Sequence, residues 1–462
     1  MEVGCGRGEK TGFFTQGRRS LQALAVQFIV KMVDLASSIK KLGQDDPRRV
    51  IHSLKVGLTI TLVSIICYYQ PLYSNFDETA IWAIMTVVVV FEFSVGATLG
   101  KGLNRGLANT TGWWTKYRST SPTISTFLRF FPEIKARYDY GLLIFILTFA
   151  MISVSGFRED EILELAYRRL STICIGGAAC VIISIMIFPV WAGEDLHNLI
   201  TLNIEKLGSF LEEVVKTTGF GDKYFNRTGD EEGNDGNKFS EGYKSSLNSK
   251  TSEGSLANFA AWEPGHGRFP YRHPWKLYLK VGTLARECAY RIEALNGYLN
   301  NADMQESSEV STVIQEACTN MSIESGKALK ELALAIKTMV QPSSADSHIE
   351  KAKSAAKNMK SLIKSGIWED IDLLKVIPGI AVGAILVDVV TCTEKIAESI
   401  HELASKGQFK SAEPPLSPEN LPSEQIQSVK SAQMVNNHHV ITVSESTPAA
   451  PPVESSSVPK AS

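Results

Sequence analysis

The long apolar runs of this chain are concentrated between Leu54 and Trp191, and the rest is charged, helical in period or polar and repetitive. Four runs have the length, or nearly the length, of a membrane span. Residues 56–73 follow the basic Arg48, Arg49 and Lys55 and end in Tyr68, Tyr69 and Tyr73, an aromatic edge suited to a membrane interface. Residues 80–100 hold the core IWAIMTVVVVF, with Glu92 just beyond it and then Lys101 and Arg105. Residues 140–156 form a slightly short run, and residues 170–191 are long enough to cross a hydrocarbon layer of about 30 Å. A buried soluble core accounts for one such run; four predict a transmembrane domain over residues 51–192.

The flanks differ in kind. Within residues 1–50, Leu21, Leu24, Phe28, Met32, Leu35 and Ile39 recur at three- and four-residue spacing, which predicts an amphipathic helix over 18–42, lying on a membrane or packed on a cytosolic domain. After Trp191, helical periods appear over 196–216, 274–301, 307–339 and 347–406 with a break near Ser365. The apolar stretch 376–387 is too short for a span and is flanked by Asp372 and Asp388, so a buried core helix is expected. Residues 193–407 then form a cytosolic helical domain with a disordered linker at 218–253, and 408–462 form a disordered tail rich in Pro and Ser. The fold class expected is an all-α integral membrane protein, an N-terminal transmembrane helical domain followed by a C-terminal cytosolic one.

Charge sets the orientation. Residues 1–55 carry ten Lys or Arg and residues 101–140 carry seven, while the loop at 70–80 carries only Asp77 and Glu78, so the positive-inside rule puts both termini in the cytosol. The net charge of -2 over 462 residues gives nucleic-acid binding no support. Seven scattered cysteines without a CxxC pair indicate neither a disulfide framework nor a zinc site. No catalytic constellation or cofactor motif stands out; His266 and His273 lack metal-ligand partners at useful spacing, so surface or core histidines are expected.

Several strings read together as one family. DPRRVIHSLKVGLTI from Asp46, WAIMTVVVVFEFSVGATLGKGLNRG from Trp82, RFFPEIKARYDYGLLIFILTF around Arg129, SGFREDEI from Ser155, LSTICIGG from Leu170, FPVWAGEDLH from Phe188 and WEPGHGRFPYRHPW from Trp262 lie in order over residues 46–405. Together they resemble the plant aluminium-activated malate transporters. The resemblance implies a homodimeric anion channel with six spans per subunit, a pore lined by basic residues and a cytosolic helical domain, passing malate and other anions passively across the plasma membrane in preference to the vacuolar one. It implies trivalent aluminium as an activator of some members. This chain departs from the pattern between Gly106 and Phe127, where the polar LANTTGWWTKYRSTSPTIST stands in place of a third span and most of a fourth. A truncated, non-conducting member that modulates full-length subunits, and a membrane-tethered binding module, are the alternative readings.

A dicarboxylate leaving water needs fixed cations, and Arg suits the task because it stays protonated and grips carboxylates with two donors. Lys101 and Arg105 are four apart and share a helix face; Arg169 opens the last span on another helix. By resemblance Arg105 and Arg169 occupy positions of the family's pore arginines, with Lys101, Lys55 and Arg129 as weaker candidates; the other reading is that these cations anchor helix ends at the headgroups. Glu92 sits inside an apolar run and is assigned a structural or gating role. Asp77, Asp160 and Glu164 lie on the expected outer side and resemble the acidic region where sensitive members bind aluminium; solvated loop carboxylates are the other reading.

Overall fold

The computed structural model describes residues 30–32, 34, 37, 40–41, 43–44, 46–68, 80–114, 121–155, 159–218, 242–301, 309–364 and 373–411. Its regular elements among these residues are helices, accompanied by the isolated bridges His266–Phe269 and Val340–Lys410. The chain divides into two compact units, Met1–Val190 and Trp191–Ser462.

The first unit contains α1 (Pro47–Tyr68), α2 (Ala80–Val90), α3 (Val95–Trp114), α4 (Ser121–Leu128), α5 (Pro132–Ser155) and α6 (Glu159–Met186). Helix α1 starts where it does because Asp46 caps it. The Arg48 N–H donates to Asp46 Oδ1 at 3.2 Å, and Pro47, which has no N–H to satisfy, takes the first helical position. Residues 80–100, expected as one span, are two helices. Ser94 Oγ accepts from the Ala97 N–H at 3.3 Å and starts a new helix, while Thr98 Oγ1 takes the Glu92 N–H at 3.0 Å, so the Glu92 N–H freed at the break is satisfied locally. Helix α3 then runs on to Trp114, through residues read from sequence as a polar connection. The expected run 140–156 lies within the longer α5.

Two helices, Pro47–Tyr68 and the segment Tyr167–Met186 of α6, are long and apolar enough to cross a membrane, and Ile81–Val90 is a shorter apolar helix. Helix α2 packs on α1 and α6, α6 also packs on α3, and α5 packs on α3 and α4. Val63, Ala83, Val87, Val90, Phe91, Cys180 and Ile183 form the apolar centre. The approach of α6 to α2 depends on Gly176, where a Cβ would stand 2.6 Å from the Ala83 carbonyl oxygen. Helix α6 ends at a left-handed residue, Phe188 (φ 41°), whose carbonyl accepts from Lys55 Nζ at 2.8 Å, and the Val190 carbonyl accepts the Val95 N–H at 3.0 Å. Of the amphipathic stretch 18–42, the described positions 30–32, 34, 37 and 40–41 are helical; the remainder lies outside the described residues.

The second unit contains α7 (Ala192–Thr218), α8 (Lys250–Ala260), α9 (Trp275–Asn301), α10 (Glu309–Thr338), α11 (Ser343–Lys364) and α12 (Leu373–Lys406). Helices α7, α9, α10 and α12 surround a core that includes Ile200, Leu207, Ile292, Leu329 and Ile400, and the apolar stretch 376–387 is part of α12. The WEPGHGRFPYRHPW segment holds the start of α7. The Glu263 carboxylate accepts the N–H groups of Ala192 and Gly193 at 2.6 and 3.0 Å, and the His266 ring stacks on Trp191 at 3.8 Å. Beneath it, the Tyr278 hydroxyl joins His197 Nδ1 at 3.0 Å and His273 Nε2 at 3.3 Å. All three side chains are buried.

Two measurements check this packing. Gly176→Val should lower the unfolding temperature of the detergent-solubilised protein and broaden its elution, since no flexible side chain can yield at the α2–α6 contact; Gly176→Ala should be the milder change. Burial, with Arg268 close to His197 and His266 close to His273, pushes both imidazoles from about 6.5 down to about 4. Between those values the unfolded chain binds more protons than the folded one, so stability falls as pH drops from about 6.5 through about 4, by up to about 1.4 kcal/mol per pH unit for each histidine. Tryptophan fluorescence during urea unfolding, repeated across that pH window, checks the slope.

Candidate functional site

Charges and amides inside a helical bundle must find partners on neighbouring helices, because lipid supplies none. In the first unit these groups gather between α3 and α5. Asn104, Arg105, Ala108, Asn109 and Gly112 form the buried face of α3. On it Asn104 Nδ2 donates to the Arg137 carbonyl at 3.2 Å, Arg105 Nη1 to the Tyr140 hydroxyl at 3.1 Å, and Asn109 Oδ1 accepts from Thr148 Oγ1 at 3.1 Å. These contacts make a polar ladder down one helix pair.

All the candidates from the sequence but Asp77 fall among the described residues. Arg105 is 8% exposed, and its Nε is buried without a hydrogen-bond partner. Lys101, one turn earlier, forms an ion pair with Glu92 and stands 5.7 Å from the Tyr140 ring centroid. Glu92 lies in the break between α2 and α3 rather than inside a helix, and its carboxylate compensates Lys101. Arg169 lies over the Trp82 ring, its guanidinium carbon 4.2 Å from the centroid, so it engages α2 while Arg105 engages α5. Lys55 is buried and holds the Phe188 carbonyl; Arg129 pairs with Asp139 at 2.6 Å. Asp160 and Glu164 fall on the first turns of α6, one helical turn apart, and Asp77 lies outside the described residues.

The model of the family described as aluminium activated malate transporter matches residues 40–112 and 120–368, more than half of the chain. The chain belongs to this family. Three curated relatives of this aluminium activated malate transporter family member measure the likeness. Aluminum-activated malate transporter 2 of Arabidopsis thaliana is 50% identical over 409 residues, covering 83% of this chain and 80% of the relative. Transporter 7 of the same plant is 47% identical over 455 residues, covering 89% of this chain and 90% of the relative. Aluminum-activated malate transporter 1 of Triticum aestivum is 38% identical over 448 residues, covering 89% of this chain and 95% of the relative. An alignment over 455 residues exceeds what 89% of a 462-residue chain can supply, so the relative carries residues without a counterpart here. The family is one of membrane transporters, not enzymes.

The sequence did not single out Tyr140, Asn104, Asn109, Thr148 or Trp82. Asn109 repeats the face of Lys101 and Arg105 at four-residue spacing, which is a readable signal; Tyr140 and Thr148 belong to α5 and become visible only when that helix docks. Thr148→Val removes the donor to Asn109 Oδ1. It should cost about 1 kcal/mol of bundle stability, measured by unfolding the protein in mixed micelles, while Thr148→Ser should cost less.

Proposed function

We propose that this chain is a subunit of a dimeric channel that lets malate and related anions pass down their electrochemical gradient across a plant membrane, the plasma membrane in preference to the vacuolar one. The observation that carries the reading is Arg105: a guanidinium 8% exposed between two helices of a membrane transporter, with its Nε buried and unpartnered. An intramembrane cation is costly, and a transported anion is the natural counter-charge. The relatives' names supply malate as the anion. Arg169 and Lys101 add positive potential, Arg169 from α6 and Lys101 partly neutralised by Glu92. Dimer symmetry supplies each cation twice. The second unit serves as the cytosolic regulatory domain, with both chain termini in the cytosol. Aluminium acts as an activator at the acidic positions Asp77, Asp160 and Glu164, whose oxygens suit a hard cation.

A second reading rests on the residues that the relative carries and this chain lacks, together with the unmatched segment 113–119. In it the chain is a non-conducting member that joins full-length subunits in mixed dimers and lowers their current.

Whole-cell recording with malate inside the cell separates the two. The channel reading expects an outward malate flux seen as inward current, reduced about tenfold or more by Arg105→Gln with surface expression unchanged. Absent current despite correct membrane targeting, with suppression of a co-expressed full-length relative, supports the second reading and rejects the first. Unchanged conductance and selectivity in Arg105→Gln rejects the placement of Arg105 in the path.

A further inference from the structure

Two cations of α3 meet a single tyrosine. Arg105 Nη1 donates to the Tyr140 hydroxyl at 3.1 Å, and Lys101 Nζ stands 5.7 Å from the centroid of the same ring. The backbones approach closely here: a Cβ on Gly141 would meet the Asn104 Cβ at 3.3 Å, a tight contact that glycine avoids. Asn104 fastens the same turn through the Arg137 carbonyl. Tyr140 therefore meets α3 through both its hydroxyl and its ring.

A phenol has one hydrogen to give and lone pairs to accept with. Here its oxygen accepts from Arg105, which leaves its own O–H to donate elsewhere. The guanidinium makes one described hydrogen bond, through Nη1, and its Nε is buried without a partner. A carboxylate has two oxygens that accept from separate donors at once, whereas chloride is a single spherical charge satisfied by the nearest cation. We propose that Tyr140 and Arg105 together form a carboxylate subsite, the Tyr140 O–H and the guanidinium each donating to one carboxylate oxygen of the passing anion, so that Tyr140 sets the preference for carboxylates over halides. This rests on the reading of Arg105 as part of the anion path. Lys101, already paired with Glu92, adds positive potential to the subsite without being its principal donor.

The test is malate binding to the full-length protein in lipid nanodiscs, by calorimetric titration with sodium malate and by competition with sodium chloride. Tyr140→Phe keeps the ring and removes the donor; it should weaken malate about tenfold and leave chloride competition within about twofold. Arg105→Lys keeps the charge and removes the two-donor fork, and should show the same divergence, which carries the test if the first variant does not fold. Tyr138→Phe, on the same helix, should bind as the parent does. Equal losses for malate and chloride in Tyr140→Phe would assign it a structural role only and overturn the proposal. Parent-like malate binding in Tyr140→Phe, with binding lost in Arg105→Gln, would overturn the subsite and leave the anion path standing. Absence of malate binding in the parent protein would overturn both.

Discussion

A guanidinium in a membrane bundle cannot discard its charge, and the arrangement of the first unit follows from that constraint. Arg105 is 8% exposed, so the helix across from it must bring a polar group and must come near enough to deliver it. Tyr140 supplies the group and Gly141 the proximity. The same α3–α5 seam then carries the Asn109–Thr148 bond, an amide that would be as unwelcome in lipid as the charge. On the other side, α6 faces α2 through Gly176 and sets Arg169 over Trp82, a partner that accepts a cation without neutralising it. An ion-paired cation, such as Lys101 with Glu92 or Arg129 with Asp139, has its field largely answered. The phenol that Arg105 meets is neutral, and an indole face lies under Arg169.

The second unit solves a different problem. Helix α7 begins directly after the first unit ends, and its first N–H groups have no intrahelical acceptor. Glu263, carried about seventy residues downstream on the WEPGHGRFPYRHPW segment, accepts two of them, and His266 closes over Trp191. A sequence segment with no chemistry of its own in the usual motif sense is thus a clamp on a helix start. The buried ion pair of Arg286 with Glu253 ties α8 to α9 in the same manner.

Much of this is legible in the amino-acid sequence. Helix positions in the second unit follow the apolar period over 196–216, 274–301, 307–339 and 347–406. The expected disordered linker 218–253 is corrected: residues 242–247 are helical and α8 begins at Lys250, burying Glu253 and Ala257 on a stretch too polar to show an apolar period. The family is legible from strings such as FPVWAGEDLH, and so are Arg105 and Lys101 as a shared face. The break at 91–94 is hidden because a long apolar run outweighs a single capping residue, although Ser94 is a good N-cap. The continuation of α3 to Trp114 is hidden for the converse reason: LANTTGWW is too polar to read as a span, yet its Asn109 and Gly112 are buried against α5. Polar residues on a helix look like a loop until the helix that satisfies them is in place. Tyr140 belongs to that class, since its significance is wholly a matter of what docks on it.

The central claim is that a buried, neutrally held arginine in this family member serves a passing carboxylate. The most direct measurement is uptake of labelled malate by liposomes containing the purified full-length protein under an imposed membrane potential. The account predicts flux that follows the potential, needs no second substrate and is strongly reduced by Arg105→Gln; correctly inserted protein that passes no malate at any potential would contradict it.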